Sequence, residues 1–88
     1  MFLATVTVTI KENVLDPQGQ AVEGALHSLG FEEASNVRIG KYMELTIDSG
    51  DREEAHRKVV EMCEKLLSNP VIEDYQFELT AVQKGVAL

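Results

Sequence analysis

Cys63, His27 and His56 are the side chains best equipped for nucleophilic, acid–base or metal chemistry, and their placement argues against all three. A catalytic thiol needs a base within hydrogen-bond reach, and a metal site needs several converging ligands. Neither histidine has a second one at ligand spacing. Cys63 is the sole cysteine, which excludes an intramolecular disulfide and a cysteine-built zinc site. Its neighbours Val59, Met62 and Leu66 place it on an amphipathic helix, where a reduced thiol packs as a small hydrophobe. His56 sits in the charged stretch from Arg52 to Lys58 and His27 beside Leu26, so both read as solvated or partly packed imidazoles. Ser28, Ser35, Ser49 and Ser68 fall at turns or helix ends, where local hydrogen bonding accounts for them. No glycine pattern resembles a phosphate-binding loop, since Gly19 lies at a helix start and Gly40 in a strand. The chain is expected to carry no catalytic residue, metal or cofactor of its own.

Charge narrows the partners. Fifteen acidic residues against eight basic ones give a net charge of −7, with no Lys/Arg cluster to offset it. Such a field repels phosphate backbones and anionic membranes, so neither nucleic acid nor membrane is an expected partner. The start, Met1 to Val6, alternates like a strand and lacks the basic region of a signal peptide. No apolar run approaches the roughly 20 residues of a spanning helix. A soluble, cytoplasmic protein is expected. At 88 residues and 44% apolar content it reads as one domain with one core. A domain this small buries only roughly 60–65% of its unfolded surface. Its stability should be about 4–13 kcal/mol, which makes self-association useful.

The elements that would position any site follow from periodicity. Phe2, Ala4, Val6, Val8 and Ile10 alternate with Leu3, Thr5, Thr7 and Thr9, a period of two that predicts a strand with one apolar face. Asp16-Pro17 starts a helix, with Asp as N-cap and Pro at the first helical position. Ala21, Val22, Ala25, Leu26 and Leu29 form its stripe, and Gly30 ends it. Alternation from Val37 to Ile47 predicts one long strand bent at Gly40, with a hairpin at Gly40-Lys41 as the competing reading. A second helix is predicted from about Asp51 to Leu67, burying Ala55, Val59, Met62, Cys63, Leu66 and Leu67. Glu54–Lys58 and Glu61–Lys65 are spaced for ion pairs on its outer face. Ser68-Asn69-Pro70 ends it. A last strand runs from Val71 to about Thr80, with Val71, Tyr75, Phe77 and Leu79 on one face. The fold class is α/β (α+β), in the order β-α-β-α-β. Two helices should lie on one face of a three-stranded sheet whose first strand is central. Residues 1–80 form the domain and 81–88 a C-terminal tail, which either frays or continues pairing.

Two segments are more specific than folding requires. Val14 to Gly19 contains a glycine early in a helix, which serves either close packing within the chain or the approach of a partner's backbone. Val37 to Lys41 puts Arg38 and Lys41 beside a backbone kink, as a docking site for an acidic partner or as charged guards on an edge strand. Eleven residues of strand span roughly 36 Å, against roughly 20–25 Å for the helices. A strand that overhangs its helices needs another chain to complete the sheet.

Together, Val14-Leu15-Asp16-Pro17-Gln18-Gly19 with Ala21-Val22, Leu29-Gly30, Val37-Arg38-Ile39-Gly40-Lys41 with Glu44, Cys63-Glu64-Lys65-Leu66-Leu67 and Asn69-Pro70-Val71-Ile72-Glu73-Asp74-Tyr75 resemble the PurS family. These are small subunits of phosphoribosylformylglycinamidine synthase in purine biosynthesis. The resemblance covers roughly residues 3–80. It implies a sheet extended by self-association into a homodimer or homotetramer, and a non-catalytic subunit bridging a PurL synthetase and a PurQ glutaminase. The complex would use ATP and glutamine to convert formylglycinamide ribonucleotide to formylglycinamidine ribonucleotide, with ATP and Mg used by PurL and none by this chain. The candidate partner-contact residues are Asp16, Gln18, Gly19, Arg38, Gly40, Lys41, Asn69 and Pro70.

Two other classes compete. A free-standing ligand-binding regulatory domain of βαββαβ form would need two strands where one is read, split at Gly40. A single-strand RNA binder on a similar sheet is opposed by the charge and by having five aromatic residues.

Overall fold

The computed structural model describes residues 1–82. Strand β1 (Phe2–Ile10) is followed by helix α1 (Pro17–Ser28), strand β2 (Gly40–Ile47), helix α2 (Arg52–Met62) with a π-helical turn (Cys63–Leu67), and strand β3 (Glu73–Ala81). The sheet order is β2-β1-β3, with β1 central as expected. Tail residues 83–88 lie outside the described residues, but Ala81 does not belong to a tail, since it pairs with Phe2.

Strand directions explain where the helices go. Both outer strands run antiparallel to β1, Thr9 facing Gly40 and Phe2 facing Ile47 on one side, Ile10 facing Glu73 and Phe2 facing Ala81 on the other. The outer strands are therefore parallel to each other, and α2 carries the chain between them along the length of the sheet. β1 and β2 instead meet as neighbouring antiparallel strands, so α1 is an excursion at the sheet's end and is not obliged to cross its face.

Packing follows. Ala4, Val6 and Val8 of β1 are fully buried beneath Ala55, Val59 and Cys63, with Phe2 and Ile47 closing one end. Met43 and Leu45 of β2 and Tyr75, Phe77 and Leu79 of β3 flank this core, partly buried. On the opposite face Thr5 lies between Glu44 and Glu78, and Thr7 between Tyr42 and Gln76. The two helices do not share the covering of one face as expected. α2 packs on β1, whereas within α1 only Gly19 is buried. The radius of gyration is 16.7 Å, against about 12 Å for a compact domain of this length.

Three boundaries differ from the sequence reading. β2 begins at Gly40, so Val37–Ile39 are not strand and the overhang argument loses its premise. The residue opposite Gly40 is Thr9, one short of the end of β1, so the ladder runs out there. For the same reason the hairpin at Gly40, and with it the βαββαβ alternative, is not realised. Second, Met62 and Leu66 were expected in the core but are 37% and 82% exposed. The Ser68 N–H donates to the Cys63 carbonyl at 3.0 Å, five residues back. The wider turn brings Leu67 rather than Leu66 onto the core. Third, β3 starts at Glu73, because Val71 and Ile72 are spent in a turn closed by the Ile72 and Glu73 N–H groups on the Asn69 carbonyl. The pairs Glu54–Lys58 and Glu61–Lys65 form at 3.0 and 2.6 Å.

Candidate functional site

Four of the eight candidate residues converge where α1 leaves and rejoins the sheet. Asp16 is the N-cap of α1, its Oδ1 accepting from the Gly19 N–H at 3.0 Å. Its other oxygen, Oδ2, accepts from the Ile39 N–H at 2.9 Å, so one carboxylate joins the start of α1 to the segment entering β2. Glu23 repeats the link about two turns later, accepting from the Val37 N–H at 3.1 Å. Arg38 turns back to β1, its Nη2 donating to the carbonyls of Ile10 and Lys11 at 2.6 Å each. These bonds are why Val37–Ile39 form no ladder: side chains take the places a strand would have filled. The glycines fit the same construction. A Cβ on Gly19 would meet the Val37 carbonyl oxygen, and one on Gly40 the Val8 carbonyl oxygen, both far inside contact distance.

The other candidates lie nearby but apart. Lys41 reaches across β1 to Glu73 at 3.8 Å. Asn69 caps the turn before β3, its Oδ1 accepting from the Val71 N–H at 3.2 Å and its own N–H donating to Glu73 at 2.6 Å. Pro70 lines a groove of about 970 Å³ with Thr7, Thr9, Lys11, Glu64 and Tyr75. Gln18 is exposed on the first turn of α1.

Asp16 is 4% exposed. The N–H groups of Ile39 and Gly19, the former first, hold its carboxyl below the ordinary value of 3.8, and Arg38 adds to this. A carboxylate with both oxygens engaged is a structural clasp rather than a base. Its depressed value sets a sign. The ionised form is favoured by folding, so its stabilisation is complete above about pH 4 and is lost as the pH falls through the folded-state value. Asp16→Asn is expected to lower the melting temperature at neutral pH, and the gap to the parent should shrink as the pH drops to about 3. A gap that is constant with pH would show that the charge contributes nothing.

The remaining reactive groups are committed elsewhere. Burial, then Glu64, raises the Cys63 thiol, which lies fully inside the core. The His27 ring is 2.7 Å from the Ala34 carbonyl through Nε2, and His56 packs on Phe77 with ring centroids 5.0 Å apart. Among the described residues no three His, Cys, Asp or Glu side chains form a metal-holding group, and no helix is long and apolar enough to cross a membrane. What this end of the molecule can do is hold α1 out in a fixed direction and present it.

α1 itself is what the sequence reading missed. Its stripe, expected in the core, faces outward: Val22 is 40% and Leu29 73% exposed, and Phe31 just beyond is 52% exposed. The signal was available in composition. α1 has a single charged residue in twelve, Glu23, whereas α2 has six in eleven. A helix left to water would be expected to carry more charge.

The chain matches the PurS family model, described as phosphoribosylformylglycinamidine (FGAM) synthase, over residues 3–81. It is 57% identical to the phosphoribosylformylglycinamidine synthase subunit PurS of Bacillus subtilis, across 93% of this chain and 96% of that one. The corresponding subunit of Synechocystis is 48% identical across 90% and 79% of the two chains. The fold superposes on the crystal structure of Bacillus subtilis PurS with a TM-score of 0.84, at 57% identity and covering 92% and 100% of the chains. A chain in the structure of PurLQS from Thermotoga maritima aligns with a TM-score of 0.80 at 30% identity, covering 91% and 99%.

Proposed function

Because this chain belongs to the PurS family, we propose that it is a non-catalytic subunit of phosphoribosylformylglycinamidine synthase, bridging a PurL synthetase and a PurQ glutaminase. The observation that carries the reading is the family match across residues 3–81, joined to the likeness to a chain of the PurLQS assembly. The reaction belongs to de novo purine synthesis in the cytoplasm. Formylglycinamide ribonucleotide, ATP and glutamine give formylglycinamidine ribonucleotide, ADP, phosphate and glutamate. ATP and Mg are used by PurL, and glutamine is hydrolysed by PurQ.

The chain's part is geometric. Ammonia released at one active site must reach another before it is protonated or lost to water, so the two enzymes must be held in register. A sheet with two open edges, and a helix clasped rigidly beyond its end, suits that task. It also fits the way the polar residues at the sheet's end are spent, in holding backbone rather than in presenting an acid or base. Asp16, Gln18, Gly19, Arg38, Gly40, Lys41, Asn69 and Pro70 surround the base of α1 or the neighbouring turn, and the partner-contact role proposed for them is to fix the direction of that presentation.

Reconstitution tests this. With PurL and PurQ present, adding the chain is expected to raise glutamine-dependent turnover strongly and to leave ammonia-dependent turnover of PurL nearly unchanged. Equal glutamine-dependent rates with and without the chain would refute the bridging role.

A further inference from the structure

The sheet has two edges in its topology, but the β3 edge is not free along its length. The Lys11 N–H donates to the Ile72 carbonyl and the Val82 N–H to the Met1 carbonyl, each at 2.9 Å. With Ile10 opposite Glu73 and Phe2 opposite Ala81, these bonds fix the phase of the ladder. Even-numbered residues of β3 bond to β1, so the N–H and C=O groups of Glu73, Tyr75, Phe77 and Leu79 point away from it. Two of those outward groups already have partners. The Glu73 N–H donates to the Asn69 carbonyl at 2.7 Å, and the Leu79 carbonyl accepts from Arg52 Nη1 at 3.0 Å. Among the described residues between these two plugs, both outward groups stay open only at Tyr75 and Phe77. That stretch is well short of the about 5–6 residues of an ordinary strand.

Arg52 is badly placed for its own helix. It is the first residue of α2, whose first turn otherwise carries Glu53 and Glu54. A cation there opposes the helix dipole, which favours negative charge at that end. What the position does provide is reach. The guanidinium carbon lies 5.2 Å from the centre of the Phe2 ring, so the group bridges the central strand and the edge. His56, four residues on and on the same helix face, packs on Phe77 with ring centroids 5.0 Å apart. Helix α2 thus lays two side chains over β3, at Phe77 and Leu79. The strand beneath needs cover: Tyr75-Gln76-Phe77-Glu78-Leu79 alternates apolar and polar residues, the pattern of an edge ready to pair.

We propose that Arg52 is an edge guard, its guanidinium holding the Leu79 carbonyl so that no further strand adds along β3. An incoming strand would have to displace that bond and leave a cation against the sheet without its acceptor. The guard limits growth of the sheet at this edge and involves no enzyme partner. Its failure therefore leaves the bridging role untouched.

The test is the full chain carrying Arg52→Ala, held beside the parent at matched concentrations while light scattering is followed. The parent is expected to keep a constant mass, whereas the variant should accumulate larger species, faster at higher concentration. Losing a cation makes an acidic chain more acidic, which by itself opposes association, so net charge would not explain the growth. Hydrogen exchange then locates the contact. The Tyr75 and Phe77 amides should exchange about tenfold more slowly, or slower still, in the large species than in the parent. Arg52→Met is the second variant: its stem still covers Phe2, only the donor and the charge are gone, and the same growth is expected. If Arg52→Ala does not fold, Arg52→Met decides alone. A constant mass for either folded variant overturns the proposal. So do large species in which those two amides exchange as fast as in the parent, because unfolding and not edge pairing would then have produced them.

Discussion

Gly40→Ala is expected to cost about 2–3 kcal/mol, a fall of roughly 8–24 °C in melting temperature for a domain of this size. The added Cβ would press on the Val8 carbonyl. A clash with a flexible side-chain tip could be relieved by a rotamer change, but this one is with backbone. Val8 lies in the central strand, opposite Lys41 on one side and Tyr75 on the other. Moving its carbonyl would disturb both ladders at once. Gly24→Ala provides the contrast, since its Cβ would meet nothing within 4 Å. That variant should gain up to about 1 kcal/mol in the isolated chain through helix propensity. Thermal denaturation of the two variants beside the parent decides the matter: a parental melt for Gly40→Ala would remove the steric argument.

The second large effect separates two residues of the same predicted stripe. Val59 is fully buried and Leu66 is 82% exposed. Val59→Ala should cost about 2 kcal/mol in lost burial and cavity formation, whereas Leu66→Ala should stay within about 0.5 kcal/mol. Urea denaturation of both variants, measured on the dissociated chain, tests this. Equal losses would mean that the helix continues without the wider turn and that Leu66 reaches the core.

That pair shows where sequence reading succeeds and where it stops. β1 was legible because nine residues alternate without interruption and the apolar set all goes to one face. The start of α1 was legible because Asp16 and Pro17 each favour one position by a local mechanism. The end of α2 was not, since the bond from Ser68 to Cys63 that makes the π-helical turn leaves no mark in the periodicity of Met62, Cys63, Leu66 and Leu67. Val37–Ile39 misled for a related reason. Their alternation is real, yet the N–H groups of Val37 and Ile39 are taken by Glu23 and Asp16, residues distant in sequence. Strand direction was the largest gap. Element order alone does not distinguish a helix that crosses a sheet from one that stands at its end, and α1 is the second kind.

The same clasped end decides which residues matter for the candidate site. Asp16, Gly19, Arg38 and Gly40 were singled out as over-specified, and each has a partner within the chain. Their specificity fixes the placement of α1 at the sheet's end. The surface so presented comes from ordinary apolar residues that propensity assigned to a core.

The central position of β1 also has a consequence for the order of events when the chain acquires its structure. β1 is synthesised well before β3 yet pairs with it along its whole length, Phe2 meeting Ala81 and Ile10 meeting Glu73. β1, β2 and α2 can associate earlier, but one edge of β1 stays open until residues 73–81 are available. Closing that edge joins positions almost a full chain apart, which is the slow kind of contact. A nascent chain stalled before β3 would display an uncharged, β-branched edge, so translation rate and chaperone occupancy near the carboxyl end should govern the yield of assembled subunit.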